Sequence, residues 1–351
     1  MAGKAGRAIM QHSQNSVKTG MMLLMSAIVQ KTIIPWKRFW CRFGDAIHVG
    51  EDRQGFLTDP EGELFTRLHN PHLFTFDKLL NEKCLVLCGD PGTGKSTVLQ
   101  QAKSTLENSL GADGKLIWLE FRDVPSESAF ARRTFESDVW KQWQNSTGKL
   151  VLVVDGVDEG LVKIPGFVAY LASELRNAPI QRLQIVLACR SAVWPVSEGE
   201  QLIQLWGIIE KPPVFELCPL RHRDAVQAAE MVGIDAVKFI QAIYQQKVVG
   251  LAALPTTLFF LLDEFRDGGA FSGTHRELYE RGCQRLTREN DPQRIATLRM
   301  LRNSGRVSTP DEIYEAARRL AALLLLCGKS AIHIGPIADV SADADLHLRR
   351  R

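Results

Sequence analysis

The sequence predicts an α/β fold: a three-layer sandwich built on a parallel sheet, followed by a small all-helical domain. Two observations carry this expectation. Between residues 84 and 220 short, continuous apolar runs alternate with segments of helical period, and strands that are apolar on both faces belong to parallel sheets covered by helices. After Pro219 the strand signal stops and only helical spacing continues.

Taken in order, residues 1–74 form a lead-in of unassigned role. The run "MMLLMSAIV" (21–29) is well short of the roughly 20 apolar residues a membrane span needs. It also lies behind a polar stretch with no convincing cleavage site, so it reads as a buried or amphipathic helix. From Ile34 to Asp77 the chain is rich in aromatics, Gly, Pro and Asp, which predicts short strands and turns rather than a separate fold. Trp36, Phe39, Trp40 and Phe43 lie there within eight residues, and packing is preferred to a stacking platform for bases. Residues 75–220 carry the sandwich. Its strands are "CLVLCG" (84–89), "KLIWLEF" (115–121), "LVLVVDG" (150–156), "LQIVLACR" (183–190) and "PVFELCPL" (213–220), with helical spacing over 95–109, 128–145 and 164–177. Residues 221–308 form the helical domain, with helical period over 222–231, 235–247, 256–266 and 274–289. In 309–351 a last helix begins at Thr309-Pro310, with proline in its first turn and acids beside it. "AIHIG" then starts a strand, and this stretch is expected to be the start of a truncated winged-helix or other following domain.

The chain of 351 residues is 45% apolar, enough for a sizeable core, with a formal net charge of +3. Apart from Arg349-Arg350-Arg351 no long charged block appears, so charge alone does not indicate nucleic acid or a membrane as a partner. The seven cysteines are scattered singly, without metal-site spacing. They read as buried thiols of a reducing compartment, which predicts a cytoplasmic protein.

The chemistry concentrates in "GDPGTGKST", Gly89, Asp90, Pro91, Gly92, Thr93, Gly94, Lys95, Ser96 and Thr97. It follows a buried strand and opens a helix, which is the setting of a phosphate-binding loop. Backbone N–H groups of such a loop wrap the β-phosphate, and the helix N-terminus adds a partial positive charge. Lys95 then reaches the β- and γ-phosphates, and the Ser96 hydroxyl binds Mg²⁺. "LVLVVDGVDE" places Asp155 at the end of a buried strand, where ligands bind in open α/β sheets, as the acidic partner of Ser96 at the metal. Gly156 keeps the next turn small. Asp158 and Glu159 follow at a distance suited to orienting a water against the γ-phosphate. In "LACRS" Arg190 ends another strand, placed to sense that phosphate.

Together, Gly89–Ser96, "VVDGVDE", "ACRS", "FELCPL" and "LAALPTTLFFLL" resemble the NACHT group of signal-transduction P-loop NTPases, the STAND class. The resemblance covers about 75–330. It implies a P-loop sandwich, ATP or ADP with Mg²⁺ as ligands, Asp158 favoured over Glu159 as the catalytic carboxylate, and Pro255 packed near the adenine. It also implies a slowly hydrolysing molecular switch that forms homo-oligomers when activated by an unknown trigger and acts through an unknown effector, in bacterial antiphage defence or stress signalling. Family members continue into a winged helix and a sensor of repeats, and the sequence departs from them by ending where the winged helix would begin. Two other readings stand beside the switch. One is a motor-type remodelling ATPase, for which Arg281 or Arg285 would serve as an arginine finger. The other is a nucleotide-binding regulator without significant turnover, for which the sequence shows no clear basic helix-turn-helix.

Overall fold

The five apolar runs form the parallel strands they predict, and a stretch of the lead-in extends their sheet. The computed structural model describes residues 34–50, 55–62, 68–111, 113–286, 309–327, 332–333 and 346–347; the methionine-rich run at 21–29 lies outside them. Strands β1 (Phe39–Arg42), β2 (Phe74–Thr75), β3 (Cys84–Cys88), β4 (Lys115–Glu120), β5 (Leu150–Asp155), β6 (Leu183–Ala188) and β7 (Val214–Leu217) make one sheet of order β2-β1-β7-β3-β6-β5-β4. The five strands from β3 to β7 are parallel. The sheet as a whole is mixed, because β1 pairs antiparallel with both β7 and β2.

Alternation along each strand divides the core between two faces. Cys84, Val86 and Cys88 of β3, with Leu150, Leu152 and Val154 of β5, join one apolar cluster. Leu85, Leu87, Val151 and Val153 join the other, where helix α2 (Lys95–Ser109) contributes Val98, Leu99 and Leu106. Trp40 and Phe39 are buried, and Trp40 packs in that second cluster; they are core rather than a platform for bases. The short helix α1 (Phe76–Leu79) precedes β3.

The stretch read as one helix over 128–145 is two, α3 (Glu127–Arg133) and α4 (Asp138–Gln144). Local hydrogen bonding explains the break. The buried Thr134 hydroxyl donates back to the Phe130 carbonyl at 2.7 Å, and the Ser137 hydroxyl accepts from the Trp140 N–H at 3.2 Å, starting a new helix. Helices α5 (Val157–Lys163), α6 (Phe167–Leu175) and α7 (Val196–Gln204) follow.

Beyond β7 come α8 (His222–Met231), α9 (Ala236–Gln245), α10 (Val249–Ala252) and α11 (Pro255–Gly268). Their core includes Phe239, Phe265 and Phe271, with ring centroids 5.4 to 6.1 Å apart. The chain divides into two compact units at Phe271–Ser272, inside the span 221–308 read as a single domain. Helices α8 to α11 therefore share a unit with the sandwich. The second unit contains α12 (His275–Leu286), α13 (Pro310–Cys327), and a short parallel pair of β8 (Ile332–His333) with β9 (Leu346–His347).

Candidate functional site

The strand order decides which side chains meet. Strand β6 lies between β3 and β5, so its C-terminal exit stands between the loop after β3 and the acid that ends β5. Arg190, just past β6, forms an ion pair with Asp158, Nε to Oδ2 at 2.8 Å. Asp158 sits in the first turn of α5. That turn is tight because Gly156 has φ +81°, a left-handed conformation that residues with a Cβ adopt at a cost.

The loop itself runs from Gly89 into α2. Gly94 is the residue before the helix, at φ +90°. The Thr93 hydroxyl donates to the Asp90 carbonyl at 2.8 Å. Lys95 turns its ammonium back onto the loop, donating to the Gly89 carbonyl and to the Asp90 carbonyl at 3.2 Å. Burial lowers the Lys95 pKa from its ordinary value, with the nearby Asp158 carboxylate opposing. Burial likewise pushes the Asp155 carboxyl up, against a hydrogen bond from Ser96. Both groups are held against their charged forms by lost solvation. An anion beside Lys95 and a cation beside Asp155 would reverse both shifts.

The structure thus brings together Gly89, Asp90, Gly92, Thr93, Gly94, Lys95, Ser96, Asp155, Asp158 and Arg190. Pro255 also arrives, its Cγ 3.6 Å from where a Cβ on Gly94 would lie. Pro91 and Thr97 are exposed. Glu159 lies one residue beyond Asp158 in α5, near Gly156. Among the described residues no group of three or more His, Cys, Asp or Glu side chains could hold a metal ion by itself. Ser96 and Asp155 fit a Mg²⁺ that arrives with phosphate oxygens, the usual manner of binding this ion. A cavity of about 250 Å³ lies elsewhere, lined by Arg42, Trp194, Glu200, Lys211 and Val214 at the opposite end of β7.

Two loop contacts escaped the sequence reading. Arg38, 7% exposed, donates from Nη1 to the Thr93 carbonyl and from Nη2 to the Cys218 carbonyl, each at 2.8 Å. Thr256, the second residue of α11, donates its N–H at 3.4 Å and its hydroxyl at 3.2 Å to the Gly92 carbonyl. An arginine inside the aromatic run "WKRFWCRF" was the available signal for the first.

A glycine-rich loop between a buried parallel strand and a helix, faced by the acid of a strand two places away, decides the architecture. This is a P-loop NTPase fold. No family model matches the chain, and no curated protein matches its sequence. Similar solved structures include the ORC1 protein of Aeropyrum pernix in complex with DNA, 19% identical, covering 72% of this chain and 74% of that one with a TM-score of 0.36. Another is Cdc6p from Pyrobaculum aerophilum, 14% identical, covering 81% and 86% with a TM-score of 0.38. A Walker-type ATPase of Pyrococcus abyssi is 15% identical, covering 65% and 73% with a TM-score of 0.36. The strand order and the loop carry the fold, and these likenesses add no finer family to it. No helix among the described residues is long and apolar enough to cross a membrane.

Proposed function

We propose that this protein binds ATP with Mg²⁺ and hydrolyses it slowly, as a switch of the NACHT/STAND kind. The observation that carries the reading is the state of Lys95, a half-buried ammonium bonded to carbonyls of its own loop and lacking solvation. A triphosphate supplies the anion, and Lys95 exchanges the Gly89 and Asp90 carbonyls for β- and γ-oxygens. Loop N–H groups and the start of α2 hold the β-phosphate. Ser96 and Asp155 would hold a Mg²⁺ that arrives with the nucleotide, and it would neutralise phosphate charge there. Arg190 exchanges Asp158 for the γ-phosphate, which frees that carboxylate to orient water, with Glu159 as the neighbouring alternative. Pro255 borders the nucleotide from α11. Assembly into a homo-oligomer, a trigger, an effector and a role in bacterial defence or stress signalling in the cytoplasm rest on the motif resemblance alone.

The motor-type reading needs an arginine free to reach a neighbouring subunit. Arg281 donates to the Ser272 carbonyl at 2.8 Å within its own unit, which favours the switch; the side chain of Arg285 lies outside the described residues. Lys95→Ala tests the nucleotide reading. Calorimetry should show triphosphate affinity lower by at least about tenfold, or about 1.4 kcal/mol, in a folded protein. Unchanged affinity would remove the site from this loop.

A further inference from the structure

A phosphate loop has a constraint on its outer side. Its N–H groups turn inward to meet the anion, so its carbonyls turn outward, and each one withdrawn from water needs a donor. Here the donors can be named one by one. The Gly89 carbonyl takes Lys95. The Asp90 carbonyl takes the Thr93 N–H at 3.3 Å, the Thr93 hydroxyl and Lys95. The Gly94 carbonyl takes the Val98 N–H at 3.0 Å, the first turn of α2. The Gly92 and Thr93 carbonyls, in contrast, are served from far along the chain, by Thr256 and by Arg38.

We infer that Arg38 and Thr256 are positioning residues which clamp the phosphate loop from outside, so that phosphate binding and the docking of α11 and the 34–38 segment control one another. The inference rests on the nucleotide reading above and adds a regulation to the same site. On phosphate binding Lys95 leaves the loop carbonyls for the anion. The groups that then fix the outer side are Thr93, the first turn of α2, and the two donors from elsewhere.

Arg38 suits the role by geometry and by charge. Its planar fork spans the Thr93 carbonyl in the loop and the Cys218 carbonyl just past β7, a two-point grip that an ammonium cannot reproduce. The Cys218 N–H in turn donates to the Phe39 carbonyl at 3.0 Å, so the grip ties the loop to the seam between β1 and β7. Hydrogen bonds from a charged donor are about twice as strong as neutral ones. Without the guanidinium, a buried Thr93 carbonyl would lose its partner. Two residues earlier, Trp36 Nε1 donates to the Asp224 carbonyl at 3.0 Å, and the Trp36 ring lies 5.9 Å from Phe259 of α11. One short segment therefore touches the loop, α8 and α11.

Thr256 closes the circuit. The first N–H groups of a helix have no partner within it, and the Gly92 carbonyl serves as that partner for α11. The loop caps the helix while the helix holds the loop. Because coupling between two binding equilibria is reciprocal, a phosphate that orders Gly92 must also steady the start of α11.

The test uses the full chain and the variants Arg38→Met, Arg38→Lys, Thr256→Val and Thr256→Ser. Three quantities are read: ADP and ATP affinity by calorimetry with Mg²⁺, amide hydrogen exchange at 89–96 and 255–259, and thermal unfolding without nucleotide. Arg38→Met and Arg38→Lys should each weaken both nucleotides by about tenfold and speed exchange in the loop, since neither keeps the fork. Thr256→Val should weaken them by about threefold, on the order of one neutral hydrogen bond, and Thr256→Ser should restore the parent value. Thr256 is exposed, so its variants keep the fold even if those of Arg38 do not. In the parent, ADP should slow exchange at 255–259 as well as at 89–96. Parent-like loop exchange and affinity in folded Arg38→Met and Thr256→Val overturn the clamp. So does an α11 start that ignores bound ADP. If the parent binds neither nucleotide, the nucleotide reading fails by itself, and loop exchange in the variants still decides the clamp.

Discussion

Arg221 and Lys95 are both cations withdrawn from water, and the structure treats them in opposite ways. Arg221 is 2% exposed and meets three carboxylates: Asp224 at 2.8 Å, Asp59 at 3.2 Å and Glu61 at 3.4 Å. Burial lowers its pKa, but the Asp224 and Asp59 partners outweigh that and raise it on balance. The Phe39 ring lies 5.0 Å beneath its guanidinium. Lys95 has carbonyl oxygens for partners, and its pKa is lowered. A buried cation bonded directly to the chain's own carboxylates is scaffold; one bonded to carbonyls, with a carboxylate near but not bonded to it, is set for a mobile anion. Arg38 is intermediate, a buried guanidinium bonded to two carbonyls, whose pKa burial lowers to about 10. It stays charged at neutral pH and works on the loop.

The comparison breaks most visibly at Arg221. Arg221→Met leaves the buried Asp224 without the guanidinium bonded to it, and removing one partner of a buried pair costs about 3–5 kcal/mol, read as a lower urea midpoint. Lys95→Met should do the reverse without nucleotide. A base whose folded pKa lies below its unfolded value opposes folding while it is charged, so losing the ammonium leaves the melting temperature equal or higher. A large loss of stability in Lys95→Met would erase the distinction.

Next in size is a split within the site. Asp158→Asn or Glu159→Gln should slow hydrolysis by about a hundredfold if that carboxylate orients the water, while binding survives on Lys95, Ser96 and Asp155. Single-turnover hydrolysis and calorimetry separate the two quantities. If both variants hydrolyse at the parent rate, neither carboxylate has the role.

The smallest effect is on acid stability. Burial raises the Asp59 pKa, but the Glu61 N–H and Arg221 together outweigh it and hold the group below its usual value. Glu61 is held low chiefly by the Lys37 hydrogen bond. Carboxylates with lowered folded values stabilise the protein above their ordinary range, about pH 4, and that contribution is lost as pH falls through the folded values. Unfolding midpoints should therefore drop more steeply below pH 4 in the parent than in Asp59→Asn. Parallel curves would show that the network adds nothing.

What the sequence disclosed divides along the same line as these cations. The strand–loop–helix unit at 84–109 was legible because its signal is local: an apolar strand, glycines, then Lys95 and Ser96 at fixed spacing. Helix α8 was legible over 222–231 for the same reason. The break between α3 and α4 was written locally too, in Thr134 and Ser137, but the apolar spacing of Phe130, Phe135, Val139 and Trp143 masked it. Arg38 showed only as an arginine within an aromatic run, and Thr256 only through its neighbour Pro255, which the motif resemblance sets near the nucleotide; neither signal names the loop carbonyl that each residue holds. Their partners lie 55 and 164 residues away. Strands β1 and β2 were legible only as short strands and turns: a four-residue strand among glycines and prolines carries too little alternation to show that it joins the sheet beside β7.

The placement of β1 has a consequence for how the protein comes into being. Its residues leave the ribosome well before β7, yet Trp40 pairs with Leu217 and the Cys41 thiol donates to the Glu216 carbonyl, 175 positions later. Until those arrive, an aromatic strand has only the two residues of β2 to pair with, and unpaired strand edges invite wrong partners. The 34–38 segment waits with it, and so does the grip of Arg38 on the loop, since Cys218 is made after β7. A nascent chain that has finished Gly89–Ser96 therefore holds the complete phosphate motif without its outer supports. The first support joins after β7 and the second only when synthesis has passed Thr256, which makes helix α11 the step that finishes the phosphate motif.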